Sequence, residues 1–185
     1  MLKISDLDGF KKIAPEPDYP ANQRTFYAPV DDVHSVILAV LTSARHSVVL
    51  SMFGFTDVEA AKALNAHLED PDMYVQITLD QRQFFGKSEQ EALADFRDDL
   101  DSNSIAIGSS ERGEIIHRKL LVVDGLWTIL GSTNWSLNGE QKQDNELTVI
   151  RDPLIAAEAR HMVDLSHSKA MTDKARLIKN GKIRP

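Results

Sequence analysis

Ile116-His117-Arg118-Lys119-Leu120-Leu121-Val122-Val123-Asp124-Gly125 runs directly into Leu126-Trp127-Thr128-Ile129-Leu130-Gly131-Ser132-Thr133-Asn134. Two apolar runs meet at Asp124-Gly125, a dipeptide suited to the positive backbone angles of a tight hairpin turn. Strand alternation over Glu114 to Asp124 puts His117, Lys119, Leu121 and Val123 on one face. Arg118, Leu120, Val122 and Asp124 point the other way. With Asp124 and Gly125 as the central turn residues, Val123 pairs with Leu126, Leu121 with Thr128 and Lys119 with Leu130. His117 then pairs with Ser132, and the hairpin alone returns Gly131-Ser132-Thr133-Asn134 to the histidine. Glycine allows close backbone approach, while Ser and Asn bring hydrogen-bond donors. An imidazole, an ammonium and small polar donors around one point suit an anion whose charge must be neutralised while a nucleophile is held in line.

Outward from this hairpin, helical and strand patterns alternate. Phe26 to Val30 reads as a short strand. Val33, Val36, Ile37, Val40 and Leu41 share one face of a helix opened by Asp31 and Asp32. His46 to Phe55 reads as a buried strand, and Thr56 and Asp57 cap a helix to about Glu69. Met73 to Leu79 reads as a strand ending at Asp80, residues 81 to 87 as a loop, Ser88 to Leu100 as a helix and Ser104 to Ile107 as a strand. Leu126 to Ser132 and Asn145 to Arg151 complete the strands. Asp152-Pro153 opens a final helix to about Ser168, with proline where its missing N–H costs nothing. The order predicts an α/β fold, a mixed β-sheet flanked by helices on both faces. At 185 residues and 42% hydrophobic content, the chain suits one globular domain. It divides into an irregular lead-in over 1–24 with Pro15, Pro17 and Pro20, a catalytic domain over 25–168 and a basic tail over 169–185.

His117-x-Lys119, then Asp124 after four intervening residues, then Gly131-Ser132-x-Asn134, resembles the HKD motif of the phospholipase D superfamily in each fixed position and spacing. Asn145-Glu146 resembles the neighbourhood that supplies a conserved acid in single-motif members. The order of elements over about 25–168 is similar to bacterial single-motif endonucleases of that family. The resemblance implies a phospholipase D-like fold with one HKD motif per chain. It implies that His117 attacks phosphorus and forms a phosphohistidine, that Lys119 and Asn134 hold the non-bridging oxygens, and that Ser132 assists. Glu146 would orient the imidazole. Asp124, on the opposite strand face, and Gly131 read as structural. No metal and no other cofactor is implied, because Lys119 and its symmetry mate supply the positive charge.

The mechanism needs a second histidine to protonate the leaving oxygen. Of His34, His46, His67, His161 and His167, only His167 is followed by Lys at the second position, and no Gly-Ser-x-Asn follows it. A homodimer would bring two copies of His117 into one site. His34, His67, His161 and His167 read as ordinary helical histidines. Met52 and Phe53 read as core. Trp135, Arg82 and Lys87 are further candidates to touch substrate, against core packing for Trp135 and a solvated loop for the other two.

With no cysteine, disulfides and thiolate metal sites are excluded. The N-terminal MLKISDLDGFKK lacks the apolar core of a signal peptide, and Val36 to Leu41 is too short to span a bilayer. These features predict a cytoplasmic protein with no integral membrane association. The net charge of −7 divides unevenly: residues 169–185 carry +5 and residues 1–168 carry −12. A basic tail on an acidic body is a polyanion grip or a solvated tail. With no amphipathic membrane-docking segment, the sequence favours nucleic acid, DNA before RNA, and the loops contain no base-reading module. The reading is a non-specific endonuclease. Its alternatives are a phospholipase D or cardiolipin hydrolase acting on phospholipid, and a catalytically silent nucleic-acid-binding module.

Overall fold

A computed structural model describes residues 1–94, 96 and 102–183. Seven strands form one mixed sheet in the order β1-β7-β6-β5-β2-β3-β4. They are β1 (Gln23–Ala28), β2 (Ser47–Met52), β3 (Tyr74–Asp80), β4 (Ile105–Gly108), β5 (Lys119–Val123), β6 (Trp127–Gly131) and β7 (Asn145–Arg151). β2, β3 and β4 run parallel, and the remaining neighbours are antiparallel. Among the described residues the helices are α1 (Val33–Thr42), α2 (Val58–Leu68), α3 (Gln81–Phe84), α4 (Lys87–Ala92), α5 (Leu137–Gln141) and α6 (Pro153–Lys179).

Strand β2 is buried on both faces, as its unbroken apolar run predicts. Val48, Leu50 and Met52 join the main core with Val36, Ile37 and Leu41 of α1 and Leu64 of α2. Val49 packs the other way, with Val122 of β5 and Ala156 and Val163 of α6. Helices therefore cover both faces, and the strand order carries β5, which begins at Lys119, to the centre. Asp32, Asp57 and Asp152 each accept backbone N–H groups at the starts of α1, α2 and α6, as their cap positions predict.

Several boundaries differ from the sequence-based reading. The short 81–87 loop contains α3, which Asp80 caps. The Ser88–Leu100 helix is α4 over Lys87–Ala92, and Asp95 and residues 97–101 lie outside the described residues. The lead-in is not wholly irregular: Ile4–Phe10 forms a 3₁₀ helix that buries Ile4 and Leu7. The final helix passes Ser168 and continues to Lys179. Its basic end is partly consumed by the fold. Buried Lys174 donates to the Ser102 and Ile105 carbonyls at 2.6 Å each, and Lys169 pairs with Asp173 at 2.6 Å. Arg176, Lys179 and Lys182 stay exposed, and Arg184 lies outside the described residues.

Glu89, 3% exposed, accepts the Phe55 N–H. Burial pushes its carboxyl up to about 8; the Phe55 N–H opposes this and the charge of nearby Asp80 adds to it. The folded state therefore holds a proton that the unfolded chain releases near 4.5. Stability from this group is complete below that pH and falls as pH rises to about 8. Glu89→Gln is expected to match wild type near pH 4 and to melt roughly 5 °C higher near pH 9. Parallel melts across that range check this; equal loss of stability in both proteins contradicts it.

Candidate active site

The hairpin turn forms at Asp124-Gly125 with φ of 54° and 61°. Its register differs by one residue from the simple two-residue loop, with Val123 opposite Trp127 and Leu120 opposite Leu130. Asp124 explains the anchoring. Its carboxylate accepts the backbone N–H groups of Arg45, His46 and Ser47, and its own N–H bonds the Ser47 carbonyl. That residue ties the turn to the α1–β2 connection, away from the chemistry.

His117 lies outside regular structure just ahead of β5, and strand begins only at Lys119. Two ties hold this segment. Phe53 N–H donates to the Arg118 carbonyl at 2.9 Å, and buried Asp80 accepts the Ile116 N–H at 2.8 Å. The His117 side chain is exposed, and neither ring nitrogen is hydrogen-bonded among the described residues. Its ring rests against Phe53, with centroids 4.7 Å apart. Lys119 is 6% exposed; its Nζ donates to the His117 carbonyl at 3.0 Å and lies 5.0 Å from the Phe53 ring centroid. Burial lowers the Lys119 pKa from the ordinary lysine value. Phe53, which reads as core, is thus the floor under both motif side chains. The signal for it was indirect: Met52 pairs with Lys119 across β2 and β5, so the next residue must meet the motif.

Asn134 is fixed through its oxygen, which accepts the Gly54 N–H at 3.2 Å. Its Nδ2 makes no hydrogen bond among the described residues and is an available donor. Gly139 lets α5 press against the Asn134 backbone, where a Cβ would collide with its carbonyl oxygen. The Ser132 hydroxyl is committed: it donates to Asn145 Oδ1 at 2.9 Å and accepts the Glu146 N–H at 3.1 Å. Gly131 sits against the Glu146 carbonyl with no room for a side chain.

The structure brings His117, Lys119, Phe53 and the Gly54–Asn134 contact together. Glu146 does not join them. Leu147 and Val149 of β7 enter the main core, as do Leu121 and Val123 of β5 beyond Lys119. Glu146 alternates away from that face, is exposed, and makes no side-chain hydrogen bond among the described residues. The neighbouring Asn145 holds Ser132 instead. Trp135 is 1% exposed and packs edge-on against Phe55 at 5.5 Å, so its side chain belongs to the core. Arg82 pairs with Glu114 at 3.4 Å on the segment leading to His117, while Lys87 is 91% exposed on α4, with Glu91 3.9 Å away. Beside His117 opens a cleft of about 640 Å³, whose apolar lining includes Ile115, Ile116, Met162 and Leu165.

With this geometry in place, comparison with known proteins is specific. The family model described as cardiolipin synthase, PLD-like domain, matches residues 37–165. Mitochondrial cardiolipin hydrolase of Xenopus laevis is 26% identical over 125 residues, which cover 68% of this chain and 56% of that protein. The chain thus spans little more than half of that relative's length. Nuc of Salmonella typhimurium, a phospholipase D family member, superposes with a TM-score of 0.64 at 23% identity, covering 77% of this chain and 91% of Nuc. NucT of Helicobacter pylori gives a TM-score of 0.65 at 22% identity, covering 78% of this chain and 94% of NucT. The chain belongs to the cardiolipin synthase, PLD-like domain family of the phospholipase D superfamily. Among the described residues, no helix is long and apolar enough to cross a membrane.

Proposed function

We propose that this chain is a metal-independent phosphodiesterase that cleaves nucleic acid, DNA before RNA, through a phosphohistidine on His117 in a homodimer. One observation carries the reading: an exposed imidazole, neither nitrogen hydrogen-bonded among the described residues, stands beside a buried, desolvated ammonium, with Asn134 held at Gly54 next to Phe53. A His117 ring nitrogen attacks phosphorus as the bond to the leaving oxygen breaks, and His117 of the second copy protonates that oxygen. Water then attacks the phosphohistidine, the second imidazole takes its proton, and His117 is released. Lys119 and the Asn134 Nδ2 bind non-bridging oxygens, in surroundings where burial strengthens electrostatic interactions. Phe53 fixes the imidazole in place of an acidic partner.

The exposed Arg176, Lys179 and Lys182 at the end of α6 support a polyanionic substrate. The apolar lining of the cleft beside His117, with a cardiolipin hydrolase among the relatives, favours phospholipid as the second reading. Plasmid, single-stranded oligonucleotides, RNA and cardiolipin vesicles, each incubated with the protein in excess EDTA, separate the two. Cleavage of DNA with an acid-labile covalent protein–phosphate adduct is expected. Turnover of cardiolipin alone transfers the site to the lipid reading, and DNA cleavage without a trapped adduct overturns the phosphohistidine.

A further inference from the structure

Three segments distant in sequence converge behind the Asn134 loop. His34 sits in the first turn of α1, Asp57 caps α2, and Glu140 lies on α5. His34 Nδ1 is 2.8 Å from Glu140 Oε2 and 3.1 Å from Asp57 Oδ2. One ligand-type atom from each of the three lies within 4.8 Å of the others. The carboxylates are deeply buried, with side chains 5% and 2% exposed for Asp57 and Glu140.

Hydrogen bonding to His34 accounts for only part of this arrangement. Asp57 Oδ1 is spent on the α2 cap, accepting Glu59 N–H at 2.9 Å and Ala60 N–H at 3.1 Å. Its Oδ2, and Glu140 Oε1, are buried acceptors with no hydrogen-bond donor. When both are ionised, two buried carboxylates around a single imidazole leave excess negative charge even if that imidazole is protonated, and buried charge without a counter-charge is costly. The cluster opens on a cleft of about 260 Å³ whose lining contains no lysine or arginine. On the far side of the imidazole, Glu59 Oε2 is 3.2 Å from His34 Nε2. Once a cation displaces the proton that Nδ1 shares with the carboxylates, that contact would keep the remaining proton on Nε2, as the outer carboxylate does behind a metal-ligating histidine.

We propose that His34 Nδ1, Asp57 Oδ2 and the Glu140 carboxylate bind a divalent transition metal, zinc above all, with water as the remaining ligand and Glu59 orienting His34. Nitrogen with carboxylate oxygen suits zinc, and magnesium or calcium would prefer an all-oxygen shell. Ligands about 2.05 Å from a tetrahedral zinc stand about 3.3 Å apart, so the two spacings from His34 Nδ1 need open only by a few tenths of an ångström. The cation would bind α5 to α1 and α2. Since α5 follows Asn134 and presses on its backbone through Gly139, the cation stiffens the segment that carries a proposed phosphate ligand. It stands outside the proposed chemistry, which stays metal-free.

The test uses the full chain stripped on a chelating resin and titrated with zinc chloride by calorimetry, with melts in zinc, manganese and magnesium. One zinc per chain is expected, with a melting point about 5–10 °C higher at a hundredfold excess over the dissociation constant. Magnesium should produce no comparable shift. Glu140→Gln and His34→Gln should weaken zinc binding at least about 100-fold, and His117→Ala should leave it unchanged. Glu59→Gln, at an exposed position that folding tolerates, should weaken it about 10- to 100-fold without altering the metal-free melt. Absence of saturable zinc binding overturns the site. So does full-affinity binding in Glu59→Gln and Glu140→Gln, or binding that disappears with His117. Chelation should lower the melting point while cleavage below it persists, so this test and that of the proposed function fail separately.

Discussion

His117→Ala is expected to reduce phosphodiester cleavage by a factor on the order of 10⁴ or more, the scale of losing a nucleophile that forms a covalent intermediate. Three other histidines are already committed: His34 is locked between carboxylates, His67 bonds the Leu41 carbonyl, and His167 is buried, bonded to Thr78 and the Asn103 carbonyl. The effect should extend beyond the altered chain. If each site uses one imidazole as nucleophile and its twofold mate as general acid, a mixed dimer has no complete pair. Co-assembly of equal amounts of wild-type and His117→Ala chains should then leave about a quarter of the activity, following the square of the wild-type fraction. A complete site within each chain would leave half. Co-expressed, differently tagged chains purified at several ratios distinguish a quadratic from a linear dependence. The linear result removes the shared site while leaving His117 as nucleophile.

The centre of this site was legible because short-range rules determine it. A hairpin at Asp124-Gly125 must fold the Gly131–Asn134 segment back toward His117, whether the register is the simple one or, as found, one residue different. Helix starts were equally legible, since an aspartate that accepts two N–H groups acts within one turn of chain. What sequence did not disclose depends on partners far along the chain. Phe53 looks like any buried strand aromatic until Met52 is known to pair with Lys119. The basic end of the chain looks solvated, yet Lys174 is needed to bond two carbonyls at the start of β4. Glu146 is a single residue away from the position that faces the site, and in a strand one residue reverses the face. His34 reads as an ordinary helical residue because its partners, Asp57 and Glu140, are set by the packing of α2 and α5 against α1.

Gly131→Ala should have the second large effect, and on folding before chemistry. With φ of 156°, Gly131 ends β6 against the Glu146 carbonyl, and an added Cβ would fall well inside van der Waals contact with that oxygen. The carbonyl cannot simply retreat. It accepts the Ser132 N–H at 3.0 Å and the Thr133 hydroxyl at 3.0 Å, bonds that close the sheet next to Asn134. The β6–β7 pair must therefore separate at its end, or Ser132 and Thr133 must give up their acceptor. Overpacking of this kind, with hydrogen bonds lost, costs about 3 kcal/mol or more, a fall in melting temperature of roughly 6–12 °C for a chain of this length. Because Asn134 follows directly, the surviving folded protein should also lose activity out of proportion to its folded fraction. Ser132→Ala provides the contrast: it removes the bonds to Asn145 and Glu146 without a clash, and should cost about 1–2 kcal/mol. Thermal melts and activity per folded molecule, measured side by side, check both. A Gly131→Ala protein as stable as Ser132→Ala would mean that the strand end yields freely, and that close packing here is not what fixes the loop holding Asn134.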